Sequence, residues 1–368
     1  MHLYLVAGEL SGDAHGASLM RALRVQLGEV KFSGAGGPEM QSLANGPFLE
    51  WTSHAVVGLW EVIKNYGYFR REFYRMIAEI GTLQLDAVIL IDYPGFNLRL
   101  AKALRAKYPA LKIIYYISPQ VWAWNRRRIP KMAKWLDLMI CLFPFEKELY
   151  EQSGLRTEFA GHPMLDELEK KRIPGAERDR TLVGLFPGSR EREVRKILPI
   201  MLEAGRLLRE KHPDLRFAIP AASEKLMKLI QEMTAGIHDC DVSLRNAYAL
   251  MQTSGAGLVA SGTATLEAAF FGLPYALLYK VSPLTYEVGR RVIRVPFLGM
   301  VNILAGREVI PEFVQEKADP KKIADTLESF LFNEVRRTQL TSELREVIVM
   351  LGESGAAAKA AEAVRRIL

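Results

Sequence analysis

Asp92 stands directly after the apolar run Val88–Ile91 and directly before Pro94-Gly95, in VILIDYPGFNLRL (88–100). A carboxylate at the end of a buried strand has two uses. Partial burial raises its pKa toward the working range of a general base that takes a proton from a hydroxyl nucleophile. It can equally bond its own backbone as an Asx-type turn residue. The residue types leave both open.

Two turns further along carry groups suited to a different task. After TLVGLF come Pro187-Gly188-Ser189-Arg190, where Gly188 lets the backbone approach a ligand, Ser189 offers a hydroxyl and Arg190 offers a charged fork. In LVASGTATLEAAFFG (258–272), Ser261, Gly262 and Thr263 open a helix whose free N–H groups and dipole favour a diphosphate. Glu267, four residues after Thr263, shares that face one turn deeper and can accept hydrogen bonds from a ribose diol. Either turn alone is explained by an ordinary capped helix. Together they point to a nucleotide.

The first turn, in LVAGELSGDAHGA (5–17), has the glycines of a phosphate loop but also two acids. Carboxylates suit hydroxyl donors better than phosphate. Glu9, Ser11, Gly12 and Asp13 are therefore expected on the acceptor side, toward sugar hydroxyls. The alternative for Ser11 and Asp13 is to cap and charge the first turn of their own helix. Neither Gly-x-Gly-x-x-Gly nor Gly-x-x-x-x-Gly-Lys occurs, which argues against a dinucleotide fingerprint and a P-loop.

Apolar runs that alternate with helical patterns must position these groups. LYLVA, KFSGAGG, DAVILID, KIIYYIS, DLMICLF and TEFAG read as strands, and Gly12 to Leu27 as a helix with Ser11 at its N-cap. The segment 168–180, LEKKRIPGAERDR, breaks the rhythm with charge, Pro174 and Gly175. The alternation then restarts through TLVGLF, RFAIPA, VSLR, GLVAS and YALLYK. Fully apolar strands between helices predict parallel sheets covered on both faces. The expected architecture is α/β: two Rossmann-like domains facing across a cleft, with a helical tail. The expected boundaries are 1–167 for the acceptor-side domain, 168–180 for a linker, 181–340 for the donor domain and 341–368 for the tail.

At 368 residues, 49% of them apolar and 25% charged, the chain reads as an ordinary globular protein long enough for two domains. Cys141 and Cys240 are far apart, which suits a reducing compartment and gives no zinc spacing. The six histidines lack metal-ligand spacing, so neither a metal nor a cofactor is expected. No secretory leader or membrane-length apolar run is read, which predicts a cytoplasmic protein.

The net charge of +7 is partly local, in FRREFYR (69–75), NRRRIPKMAK (125–134) and GRRVIR (289–294). Such clusters favour anionic partners or are simply solvated. VVGLWEVIKNYGYFRREFYR (56–75) mixes apolar, aromatic and basic residues, as a helix in a membrane interface does; a helix packed on its own sheet is the alternative. Trp60, Phe69, Arg70, Arg71 and Phe73 are the expected membrane or acyl contacts, with Trp122 of SPQVWAW beside them; core packing is the commoner fate of such tryptophans.

With these motifs assembled, the chain resembles the lipid A disaccharide synthases, glycosyltransferases of lipopolysaccharide synthesis. The resemblance rests on AGELSGD, GAGGPEM, VVGLWEV, IDYPGFN, SPQVWAW, FPFEKELY, GHPMLD, FPGSRERE, ASGTATLE and NILAGRE, in that order. Leu10 departs from the small residue usual there and removes no functional group. The resemblance implies an inverting glycosyltransferase of the two-domain GT-B type. It implies UDP-2,3-diacylglucosamine as donor, 2,3-diacylglucosamine 1-phosphate as acceptor, and no nucleic acid partner. By motif, Asp92 is the implied base and Gly188, Ser189, Arg190, Ser261, Gly262, Thr263 and Glu267 hold UDP. Asn302 and Arg307 of NILAGRE are implied to complete the nucleotide side, on the partner's site where a homodimer exchanges C-terminal segments. The setting implied is the inner face of the cytoplasmic membrane. Two rivals stand beside it: another sugar-nucleotide enzyme such as a UDP-sugar epimerase, and a non-catalytic module binding RNA or anionic lipid.

Overall fold

The computed structural model describes residues 1–52, 66–292 and 295–368; Trp60 lies outside the described residues. The chain forms two compact units, Met1–Asp166 with Leu351–Leu368, and Glu167–Met350. Each is a parallel-sheet α/β domain.

The first sheet contains β1 (His2–Ala7), β2 (Lys31–Gly36), β3 (Phe48–Glu50), β4 (Ala87–Ile91), β5 (Lys112–Tyr116), β6 (Leu138–Cys141) and β7 (Thr157–Phe159). Its order is β3-β2-β1-β4-β5-β6-β7, parallel throughout. Leu3 to Ala7 and Ala87 to Ile91 are wholly buried, as strands covered on both faces must be. The order reverses between β1 and β4, so the turns after these two strands lie at a topological switch point, where ligands of open α/β sheets bind.

The second sheet contains β8 (Asp179–Phe186), β9 (Arg216–Ala221), β10 (Cys240–Leu244), β11 (Ser254–Ala260), β12 (Tyr275–Tyr279) and β13 (Glu312–Val314). Its order, β10-β9-β8-β11-β12-β13, is also parallel, and reverses between β8 and β11. The expected strands are present. The two edge strands β3 and β13, three residues each, go beyond them.

Segment 168–180 is mostly exposed but belongs to the second unit and is tied to it by hydrogen bonds. Ile173 N–H donates to Gln252 Oε1 at 2.8 Å, and the Arg178 guanidinium donates to the Met251 and Ser254 carbonyls at 2.9 and 2.8 Å and also to that of Phe271. The C-terminal region divides. The helix Glu334–Met350 belongs to the second unit and the helix Ala356–Arg365 to the first. The latter lies against the helix Leu10–Leu27, where Gln26 donates to the Ala358 carbonyl at 2.7 Å. Lys112 Nζ donates to the Leu368 carbonyl at 2.7 Å, tying the end of the chain to β5.

Candidate active site

At the first switch point the chain leaves β4 through two successive left-handed residues, Asp92 (φ 46°) and Tyr93 (φ 47°). Asp tolerates this region better than most side chains, Tyr does not; each such residue costs roughly 1–3 kcal/mol and persists only where its surroundings enforce it. Here they do. Asp92 N–H donates to the Tyr116 carbonyl at 2.9 Å, and the Asp92 carbonyl accepts from Asn97 Nδ2 at 2.9 Å and the Tyr115 hydroxyl at 2.5 Å. The Tyr93 ring lies over Gly8, where a Cβ would stand only 2.1 Å from Cδ1, so the turn after β1 must be glycine. These bonds use the backbone of Asp92, while its carboxylate accepts a hydrogen bond from the Tyr93 N–H, which partly offsets the upward shift of its pKa. Burial, with a smaller push from the Glu9 charge, raises that carboxyl to about 6. The sequence motif contains Asn97 and Tyr115 stands on the next strand, but nothing in their spacing marks them as supports for Asp92.

The acceptor-side residues divide. Glu9 is exposed at the N-cap of the helix Leu10–Leu27, and Ser11 is exposed in its first turn. The helix therefore starts two residues before the expected Gly12, and Ser11 is not its cap. Gly12 is buried against Ala7 and Ile91. Asp13 is turned to backbone N–H groups of the neighbouring helix. It is 2% exposed, and its carboxylate accepts from the N–H groups of Gly37 (2.8 Å), Glu39 (3.0 Å) and Met40 (3.0 Å). Asp13 thus caps the neighbouring helix Pro38–Leu43, whose first N–H groups have no partner within the helix.

At the second switch point Gly188 is left-handed (φ 104°), followed by Ser189 and by Arg190 at the N-cap of the helix Glu191–Lys211. Arg190 Nη1 donates to Glu193 Oε1 at 2.9 Å and is otherwise solvent-exposed. Across from it, Ser261 follows β11, its N–H donating to the Leu278 carbonyl at 3.1 Å. Gly262 (φ 146°) and Thr263 are exposed and lead into the helix Ala264–Phe270. Glu267 is raised above the usual carboxylate range by burial, partly offset by a hydrogen bond from the Tyr248 hydroxyl. Tyr248 packs near Phe271 with ring centroids 5.9 Å apart. It carries no sequence signal beyond its place after the β10 strand end.

Two residues implied for the nucleotide side have partners within the chain. Asn302 is wholly buried; its Nδ2 donates to the Ile310 carbonyl and Glu312 Oε1, both at 2.9 Å, and its Oδ1 accepts from Val309 and Ile310 N–H at 2.8 and 3.0 Å. All its polar capacity clamps the loop before β13. Arg307 is exposed and pairs with Glu343 at 3.1 Å.

Trp122 is not a surface residue: it is 3% exposed and its indole N–H donates to the buried Glu146 at 2.8 Å. Trp124 is the exposed tryptophan of that loop, with Arg128 4.9 Å over its ring. Phe69 and Phe73 pack on Trp51 and Phe96 with centroids 5.7 and 5.5 Å apart. They also line an open groove of about 420 Å³, completed by Arg70, Tyr93, Phe96 and Arg99. Arg71 points away, pairing with Glu72 at 3.2 Å. The groove thus adjoins Asp92 through Tyr93. Among the described residues, no group of acids, histidines and cysteines could hold a metal ion, and no helix is long and apolar enough to cross a membrane.

A family model for lipid-A-disaccharide synthetase matches residues 3–367. The chain belongs to that family. A lipid-A-disaccharide synthase of Geobacter metallireducens is 39% identical over 99% of this chain and 96% of its own length. One of Syntrophus aciditrophicus is 40% identical over 97% and 95%. Solved structures share the fold at low identity. The MnaA–UDP co-structure from S. aureus has a TM-score of 0.64 at 13% identity, covering 100% of this chain and 96% of that one. MurG of Acinetobacter baumannii has 0.56 at 12% identity, covering 99% of each. This chain thus has the GT-B fold, with two parallel-sheet α/β domains.

Proposed function

We propose that the chain is a metal-independent inverting glycosyltransferase that joins UDP-2,3-diacylglucosamine to 2,3-diacylglucosamine 1-phosphate, giving the β-1,6-linked lipid A disaccharide 1-phosphate and UDP. The observation that carries this reading is the division of chemistry between the switch points. One holds a carboxylate raised toward neutrality, the other a pair of glycine turns with an exposed arginine.

In the proposed reaction Asp92 takes the proton of the acceptor 6-hydroxyl as its oxygen bonds to the anomeric carbon. The bond from that carbon to the diphosphate breaks, and its electron pair leaves with UDP. Arg190 and the N–H groups at Gly188, Ser189, Ser261, Gly262 and Thr263 carry the developing charge, a preorganised electrostatic role. Glu267 accepts from the ribose hydroxyls, supported by Tyr248. Glu9 and Ser11 face acceptor hydroxyls. The groove of Phe69, Phe73 and Phe96 takes an acyl chain, and Arg70 and Arg99 meet anionic headgroups at the membrane surface.

The same reading places the enzyme on the inner face of the cytoplasmic membrane as a homodimer. Val335 and Val349, 77% and 70% exposed on the helix Glu334–Met350, support a surface covered by a second copy. The test of function is UDP release from UDP-2,3-diacylglucosamine in mixed micelles. Release that requires the acylated acceptor is expected. Epimerised UDP-sugar without disaccharide would instead establish the epimerase reading.

A further inference from the structure

Glu193 is an acid beside the glycine turn that is read as holding phosphate. It lies in the first turn of the helix Glu191–Lys211, and its Oε2 sits 2.7 Å from the position a Cβ on Gly188 would take. The Cβ of Ala260, the last residue of β11, is 3.7 Å from that same position. The carboxylate therefore lies over the Gly188 turn, beside the end of β11, at the reversal point of the second sheet. Its charge also reaches the end of β12: burial first, and Glu193 second, hold the Tyr279 phenol above its usual range. Glu191, by contrast, is turned to Arg195 at 2.9 Å and Lys225 at 2.8 Å. Glu193 Oε1 accepts from Arg190 Nη1 at 2.9 Å, and its side chain is 33% exposed against 74% for Arg190.

An anion at this position satisfies the same guanidinium and the same helix N-terminus that a diphosphate would use. We infer that Glu193 is an internal counter-ion of Arg190 which the donor's diphosphate must displace, so that Glu193 sets nucleotide affinity and favours release of UDP. This rests on the nucleotide reading given above. The exchange is inexpensive, because an exposed ion pair of this kind is weak. What Glu193 adds against the ligand is a like charge facing the phosphates, and its removal is worth roughly 3- to 10-fold in affinity.

Calorimetric titration with UDP and with uridine tests this in the parent, Glu193→Gln, Glu193→Asp and Arg190→Ala. UDP is expected to bind Glu193→Gln roughly 3- to 10-fold more tightly and Glu193→Asp near the parent value, with uridine unchanged in both. Equal or weaker UDP binding by Glu193→Gln, while Arg190→Ala weakens it, overturns the inference: Glu193 then props Arg190 in place. A parallel gain for uridine also overturns it, since uridine carries no phosphate. If Arg190→Ala and the parent bind UDP alike, the nucleotide reading itself fails and takes the inference with it. Thermal melts of each variant show whether an altered affinity reflects a lost fold.

Discussion

Glu9 and Asp92 bring two carboxylates into electrostatic reach at the reversal of the first sheet, and the charge of Glu9 adds to burial in raising Asp92 to about 6. One acid sits exposed at a helix start after β1, the other half-buried after β4. Because like charges disfavour ionisation, the first tunes the second.

The pH profile should report this coupling. A base must be ionised to accept a proton, so kcat/KM is expected to fall as pH drops through about 6, the value to which Asp92 is raised. Glu9→Gln removes one raising influence and should move that limb to lower pH. A limb that stays in place in Glu9→Gln would show that burial alone sets it.

Stability should follow the same linkage. A carboxyl whose folded-state pKa is raised binds its proton more tightly when folded, so its contribution is favourable at low pH and is lost as pH rises from about 4 to about 6. Asp92→Asn is therefore expected to melt at a higher temperature than the parent at pH 8, with little difference at pH 3. A lower melting temperature at pH 8 would mean that the ionised carboxylate is stabilised in the fold.

Asp13 separates frame from chemistry. Asp13→Ala strands three N–H groups that the carboxylate now receives, and should cost about 1–3 kcal/mol in denaturant unfolding. The KM for the acceptor should not change. A raised acceptor KM without loss of stability would return Asp13 to the acceptor side.

The groove supplies a membrane prediction that leaves the core intact. Arg70 and Arg99 line it and are both exposed. Reversing both charges to Glu should lower association with anionic vesicles about tenfold or more, since each basic residue near such a surface contributes about 1 kcal/mol. Co-sedimentation with vesicles measures it; undiminished association places the contact elsewhere.

Strand positions and the chemistry of their turns were legible because buried parallel strands are apolar runs, and glycine with polar residues at their ends is a local pattern. Asp92, Gly188 and Gly262 fall at those ends. The partners of Asp13, Asn302 and Trp122 were not legible because they are remote in sequence or are backbone groups. Asp13 serves Gly37 to Met40, Asn302 clamps Val309 and Ile310, and Trp122 meets Glu146. A short polar side chain reads alike whether it caps a neighbouring helix or waits for a ligand. The strands β3 and β13 are too short for a period to register.

Turnover of Asp92→Asn, measured as UDP release with the acylated acceptor beside its calorimetric affinity for UDP, tests the account most directly. The expected result is a loss of roughly 100-fold or more in kcat with UDP affinity near that of the parent. Turnover at the parent rate would contradict it, because no proton acceptor would then be needed at the end of β4.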